Sequence, residues 1–167
     1  VEICVIPFGG EVKVIRPFET VMDAAKKPRP CLSAGGNTPM GQAISLGLEQ
    51  IRQRRDFYRQ QGHAAYKPWI VLMTDGQSND NWQDPASQAR LQSDQGRLQF
   101  CGVGIGDEVD METLRYILPA GSPPQRLQGL RFAEFFRWLS DSLKIVTSGA
   151  TTQQRQTPAV EDYDWKL

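Results

Sequence analysis

Two polar segments of the chain contain the residue types that bind a hard divalent cation. One is the glycine-rich segment 33–41, which includes Thr38. The other, segment 73–78, places Asp75 between Thr74 and Gly76 directly after an apolar run. A hydroxyl and a carboxylate held by glycine-rich backbone are oxygen ligands of the kind that Mg²⁺ binds. Each residue also has a structural interpretation, because Asp-Gly is a common turn pair and threonine often caps a helix.

The hydrophobic pattern around these segments predicts the elements that carry them. Residues 68–74 form a continuous apolar run, which is typical of a strand buried on both faces of a parallel sheet. Thr38 is expected as an N-cap and Pro39 as the first residue of a helix that runs to about Gln60. Because ligands of open α/β sheets bind beyond the carboxyl ends of strands, both segments are expected at one edge of the sheet.

The remaining pattern alternates between strands and helices. Segments 1–8 and 11–18, joined by Gly9-Gly10, predict an antiparallel hairpin, with Pro17 ending the second strand or placing it at an edge. Further elements are predicted as helices at 85–95, 111–118 (capped by Asp110) and 132–149, and as a strand at 98–105. We therefore predict a doubly wound α/β fold with a mostly parallel central sheet, one antiparallel edge strand and helices on both faces.

Composition restricts the possible functions. The 167 residues include 19 Lys+Arg, 19 Asp+Glu and one His, so the formal net charge is zero, and we expect neither a nucleic-acid nor a membrane partner. His63 alone cannot form a catalytic triad or a multi-histidine metal site. Three cysteines do not make a disulfide framework, and we expect them to be reduced and buried in a cytoplasmic protein. A dinucleotide fingerprint starting at Gly102 fails, because its last glycine position holds Asp107.

Three phrases in a fixed order carry a family resemblance: Gly-Asn-Thr-Pro-Met-Gly, Lys-Pro-Trp-Ile-Val-Leu-Met-Thr-Asp-Gly and Phe-Phe-Arg-Trp-Leu-Ser. They resemble the von Willebrand factor A family and, more narrowly, its bacterial TerY type, which is associated with tellurite resistance. The resemblance covers about residues 1–148. It implies a metal-ion-dependent adhesion site in which Thr38 and Asp75 are ligands of Mg²⁺, or of another divalent cation such as Mn²⁺ or Ca²⁺.

One part of the family pattern is absent from the sequence, namely the Asp-x-Ser-x-Ser loop and the strand that carries it. We therefore interpret residues 1–149 as a domain of this type missing its first strand and helix, followed by a polar tail, 150–167. The sequence opens inside a strand-like run, so we expect the missing strand upstream of Val1 or in another chain. Two ligands alone would hold a cation weakly.

The resemblance implies a binding module and not an enzyme. A partner protein would present an acidic side chain to the cation, and the partners implied by TerY-type systems include a Ser/Thr kinase and a PP2C-type phosphatase. The alternatives are a metal-assisted phosphoester hydrolase that uses Asp75, and a structural module with a vestigial site. We also nominate Trp82 as an exposed partner contact. The acidic group Asp107, Glu108 and Asp110 is interpreted as a solvated loop and helix cap.

Overall fold

The computed structural model describes residues 1–32, 35–127 and 132–147. The predicted tail, 150–167, and the predicted end of the last helix near Gly149 lie outside the described residues. The elements in chain order are β1 (Glu2–Val5), β2 (Arg16–Thr20), α1 (Val21–Lys26), α2 (Met40–Gln60), β3 (Trp69–Thr74), α3 (Gln83–Asp94), β4 (Gln99–Ile105), α4 (Met111–Ile117), β5 (Gln125–Leu127) and α5 (Phe132–Thr147).

The two long apolar runs form β3 and β4, which lie with β5 in a parallel sheet of the order β3-β4-β5. β3 and β4 pair in register from Trp69 opposite Gln99 to Thr74 opposite Gly104. A parallel pair needs a crossover connection, which α3 supplies between β3 and β4 and α4 supplies between β4 and β5. The predicted parallel strands are therefore confirmed, and their carboxyl ends lie at one edge.

Helices cover both faces of this parallel sheet. Successive side chains of a strand point to opposite faces. Ile70 and Leu72 of β3 accordingly belong to a hydrophobic cluster with side chains of α2, α3 and α4. Val71 and Met73 pack instead in a second cluster that includes Trp138 of α5. This arrangement confirms the predicted α/β fold class.

Two glycines in β4 allow α4 and the residues flanking it to lie close to the sheet. A Cβ on Gly102 would collide with the side chain of Leu118, and one on Gly104 would lie 2.6 Å from the sulfur of Met111. Atoms at such separations overlap, so a larger residue at either position would force these side chains to move. The glycines that resembled part of a nucleotide loop therefore serve helix–strand packing.

The antiparallel pairing near the start of the chain is confirmed, but its predicted tight turn is wrong. β1 and β2 pair with Ile3 opposite Glu19, and residues 6–15 connect them. The Gly10 amide donates to the carbonyl of Asn37 at 2.8 Å, so the Gly9-Gly10 segment bonds to a distant loop and does not close a hairpin. Pro17 lies within β2, beside an irregularity in register, where a residue without an amide proton is tolerated.

The two-stranded sheet is held to the rest of the chain by side chains. In the described part of the chain, β1 pairs only with β2, and β3 pairs only with β4. Arg54 of α2 forms a bidentate ion pair with Glu2 of β1. Phe8 and Phe18 pack against the cluster that contains α2 and β3. Among the described residues, the Glu2–Arg54 ion pair and apolar packing therefore attach β1 and β2 to α2 and the parallel sheet, in addition to the backbone bond from Gly10 to Asn37.

Two short elements were not predicted. The helix α1 lies in a segment for which no element was predicted, although Thr20 caps it by accepting from the Asp23 amide at 3.1 Å. The strand β5 has only three residues, too few to show a hydrophobic period. Among the described residues, no helix has the length and apolar character needed to span a membrane.

Candidate metal site at the carboxyl edge of the sheet

Asp75 follows the last residue of β3 and is exposed at the carboxyl edge of the parallel sheet. The turn that carries it is closed by the buried Thr74, whose hydroxyl accepts from the Gly76 amide at 3.3 Å. A hydroxyl bond to a backbone amide two residues on is a common way to fix a tight turn. The Asp75 carboxylate therefore projects from a turn that the strand itself anchors.

Thr38 lies next to this turn. Its hydroxyl oxygen is 3.4 Å from the position that a Cβ would occupy on Gly76. Its carbonyl accepts a hydrogen bond from the Asn79 amide at 3.3 Å. The structure thus brings together the two loops that contain the predicted ligands, although they are separated by more than thirty residues in the sequence.

The predicted capping role of Thr38 is wrong. Helix α2 begins at Met40, one residue later than expected, and Pro39 occupies the N-cap position without a side-chain bond. The amides of Gly41 and Gln42 donate instead to the Asp80 carboxylate, at 2.9 and 2.8 Å. A bidentate carboxylate accepts from two free amides of the first turn, whereas a threonine hydroxyl satisfies one.

Asp80 is the residue of this site that the sequence did not reveal. It also accepts a hydrogen bond from the Ser78 hydroxyl at 2.9 Å. No local signal could have identified it, because its two amide donors are 38 and 39 residues away in the chain. A cap of this kind becomes visible only when the sheet has placed the two loops side by side.

The donor set fits a hard cation in chemical type but is small. Thr38 offers a neutral hydroxyl and Asp75 a carboxylate, both of which are oxygen ligands suited to Mg²⁺. Within residues 1–32, 35–127 and 132–147, no group of three or more His, Cys, Asp or Glu residues converges on one point. A tightly held cation would therefore need acidic ligands in addition to these two.

The acidic group after β4, which comprises Asp107, Glu108 and Asp110, forms a helix cap and an exposed loop, as interpreted from the sequence. Asp110 caps α4 by accepting from the amides of Glu112 and Thr113 at 3.1 and 3.0 Å. The Thr113 hydroxyl donates to the same carboxylate at 2.7 Å. These bonds favour the charged form, so the pKa of Asp110 lies below its usual value. Asp107 and Glu108 are exposed beside it.

Two other expectations are corrected. Trp82 is half-buried and packs against the cluster around α2 and β3, so it is not an exposed contact. The three cysteines are free, but Cys31 is exposed, while Cys4 and Cys101 are half-buried. Burial raises the pKa of the Cys101 thiol, which favours its protonated form.

The fold and the site define an α/β domain in which the Thr38 and Asp75 loops lie together at the carboxyl edge of a parallel sheet. The chain belongs to the von Willebrand factor type A domain family, whose model matches residues 2–136. Domains of this family generally mediate protein–protein interactions. The match therefore confirms the resemblance to the von Willebrand factor A family that the sequence motifs indicated.

Individual relatives are distant. The collagen alpha-1(XXI) chain of Xenopus laevis is 24% identical over 115 residues, which are 67% of this chain and 10% of that protein. Two crystal structures of proximal thread matrix protein 1 from the mussel byssus are similar, with TM-scores of 0.55 and 0.54 and identities of 24% and 22%. Each alignment covers 87% of this chain and 35% of the mussel protein. The chain therefore corresponds to a minor part of each relative, and the structural likeness shows the fold alone.

Proposed function

We propose that this domain is a metal-ion-dependent protein-binding module. A divalent cation, Mg²⁺ or alternatively Mn²⁺ or Ca²⁺, binds between Thr38 and Asp75 at the carboxyl edge of β3. One coordination position remains open for an acidic side chain of a partner protein. The observation that carries the proposal is the contact between the two loops, with the Thr38 hydroxyl 3.4 Å from the Cβ position of Gly76.

The proposal needs acidic ligands in addition to Asp75. Carboxylates carry most of the attraction for a hard cation, and Asp75 supplies one. We propose that the others lie on a strand that pairs with β1 and β3, each of which pairs with one neighbour in the described residues. An unpaired strand edge in the middle of a fold is a ready template for another strand.

The biological context follows from the TerY-type phrases. We propose a cytoplasmic role in a stress or tellurite-resistance-associated phosphorylation system, with a Ser/Thr kinase and a PP2C-type phosphatase as partners. A carboxylate on a partly dehydrated cation forms a strong, directional contact. Such a contact would give a chain of zero formal net charge a specific means of selecting an acidic partner.

The test is a binding assay with the full-length protein and purified kinase and phosphatase, in Mg²⁺ and in EDTA. We expect binding in Mg²⁺ that is lost on chelation and in Asp75→Asn. The matched control is Asp84→Asn, an exposed carboxylate in the first turn of α3. This variant should bind as the wild type does.

Other results would point to the other functions. Phosphoester turnover by the wild type that disappears in Asp75→Asn would replace the binding module with a hydrolase. Equal binding in Mg²⁺ and EDTA, unaffected by Asp75→Asn and without turnover, would indicate a structural module with a vestigial site.

A further inference from the structure

Asp80 connects two segments that are far apart in sequence. Its carboxylate accepts from the amides of Gly41 and Gln42 on α2, at 2.9 and 2.8 Å, and from the Ser78 hydroxyl on its own loop, at 2.9 Å. All three distances are within the normal range of hydrogen bonds. The loop that begins at Asp75 is therefore fixed, at its far end, to the start of the helix that follows Thr38.

Two backbone features complete this connection. The Asn79 amide donates to the Thr38 carbonyl at 3.3 Å. Gly41 lies so close to the backbone of Asn81 and Trp82 that a Cβ would be 2.8 Å from the Trp82 Cα. Residues 79–82 thus lie directly against residues 38–42, with Asp80 supplying the charged bonds.

A comparison with Asp110 shows that the bonds of Asp80 do more than cap a helix. It makes the same three kinds of bond, to two amides and one hydroxyl. In the part of the chain that the structure describes, all of its partners are two or three residues away, in its own helix. Asp110 can stabilise α4 but fixes no distant loop, whereas Asp80 sets the position of one loop relative to another.

We propose that Asp80 is a positioning residue for the metal site, because it holds the Asp75 loop against Thr38. The inference rests on the proposed function, since it assumes that Thr38 and Asp75 bind a cation. Groups that orient metal ligands without touching the metal typically change affinity by about 10-fold to 100-fold when they are lost.

The experiment compares Asp80→Asn with Asp110→Asn in the full-length protein, at a temperature where both variants are folded. Each substitution removes a capping charge and keeps the side-chain shape. Mn²⁺ affinity is measured by electron paramagnetic resonance. Amide exchange of Asn79, corrected for its intrinsic rate, reports separately on the contact with Thr38. We expect Asp80→Asn to weaken Mn²⁺ binding by about 10-fold or more and to speed Asn79 exchange, with neither change in Asp110→Asn.

Each outcome decides one of the two proposals. Unchanged Asn79 exchange and Mn²⁺ affinity in Asp80→Asn would overturn the positioning role. Equal losses of Mn²⁺ affinity in Asp80→Asn and Asp110→Asn would also overturn the positioning role, because they would reflect general destabilisation of the fold. A wild type that binds no Mn²⁺, with Asn79 exchange still faster in Asp80→Asn, would overturn the metal site and leave the loop attachment supported. If Asp80→Asn does not fold, Ser78→Ala removes one of the three bonds and is expected to change both readouts in the same direction, by less.

Discussion

Two glycines in α2 are predicted to respond oppositely to the same substitution. In Gly41→Ala the new methyl would overlap the Asn81 carbonyl and lie 2.8 Å from the Trp82 Cα, and these backbone atoms cannot rotate away. Overpacking of this kind costs about 1–3 kcal/mol. Gly47→Ala, in the same helix, would meet only the Ile70 Cδ1 among the described residues, at 3.6 Å, which is an ordinary contact. Without a clash, alanine should stabilise the helix by about 0.5–1 kcal/mol.

The measurement is urea unfolding of the two variants and the wild type, followed by circular dichroism. We expect the urea concentration at the midpoint of unfolding to fall for Gly41→Ala and to rise for Gly47→Ala. The slope of the unfolding free energy against urea concentration should stay the same. A shift of 1 kcal/mol corresponds to about 2–4 °C in Tm for a chain of this size. If Gly41→Ala is as stable as the wild type, residues 81–82 do not lie against the first turn of α2, and the close approach described above is wrong.

Two further predictions concern the ion pair and the core. Arg54 lowers the pKa of Glu2 below its ordinary 4.5, so the pair stabilises the fold above that pH and loses its effect as pH falls through the lowered pKa. Glu2→Gln should therefore lower the free energy of unfolding by about 1 kcal/mol at pH 7, and the difference from the wild type should become smaller in acid. Thermal unfolding of both proteins from pH 3 to 7 checks this. A stability difference that stays constant over this range would contradict the prediction. Phe100 of β4 is completely buried, so Phe100→Ala should cost about 3–5 kcal/mol in urea unfolding. A loss below 1 kcal/mol would place Phe100 outside the core.

The Asp80 cap explains why the first turn of α2 differs from its prediction. Thr38-Pro39 is a sound local start signal, and local rules assign the cap to the nearest hydroxyl. A carboxylate from a distant loop bonds two amides at once, so the helix begins one residue later and the Thr38 hydroxyl is not used for capping. Local rules fail in the same way at Gly9-Gly10. The pair predicts a tight turn, but the Gly10 amide bonds to the distant Asn37 carbonyl.

The sequence by itself determined the elements whose signal is local. The apolar run before Asp75 predicted a buried parallel strand, and the hydrophobic pattern after Pro39 predicted a long helix. Asp110 was predicted to cap α4. Each of these signals depends on neighbours within a few residues. Only the tertiary structure decided that Thr38 lies beside Gly76 and that Asp80 bonds the start of α2. Those contacts join residues more than thirty positions apart. The rule for open α/β sheets predicted that both loops lie at one edge, but strand pairing and helix packing decide which of their atoms meet there, and no local pattern encodes that.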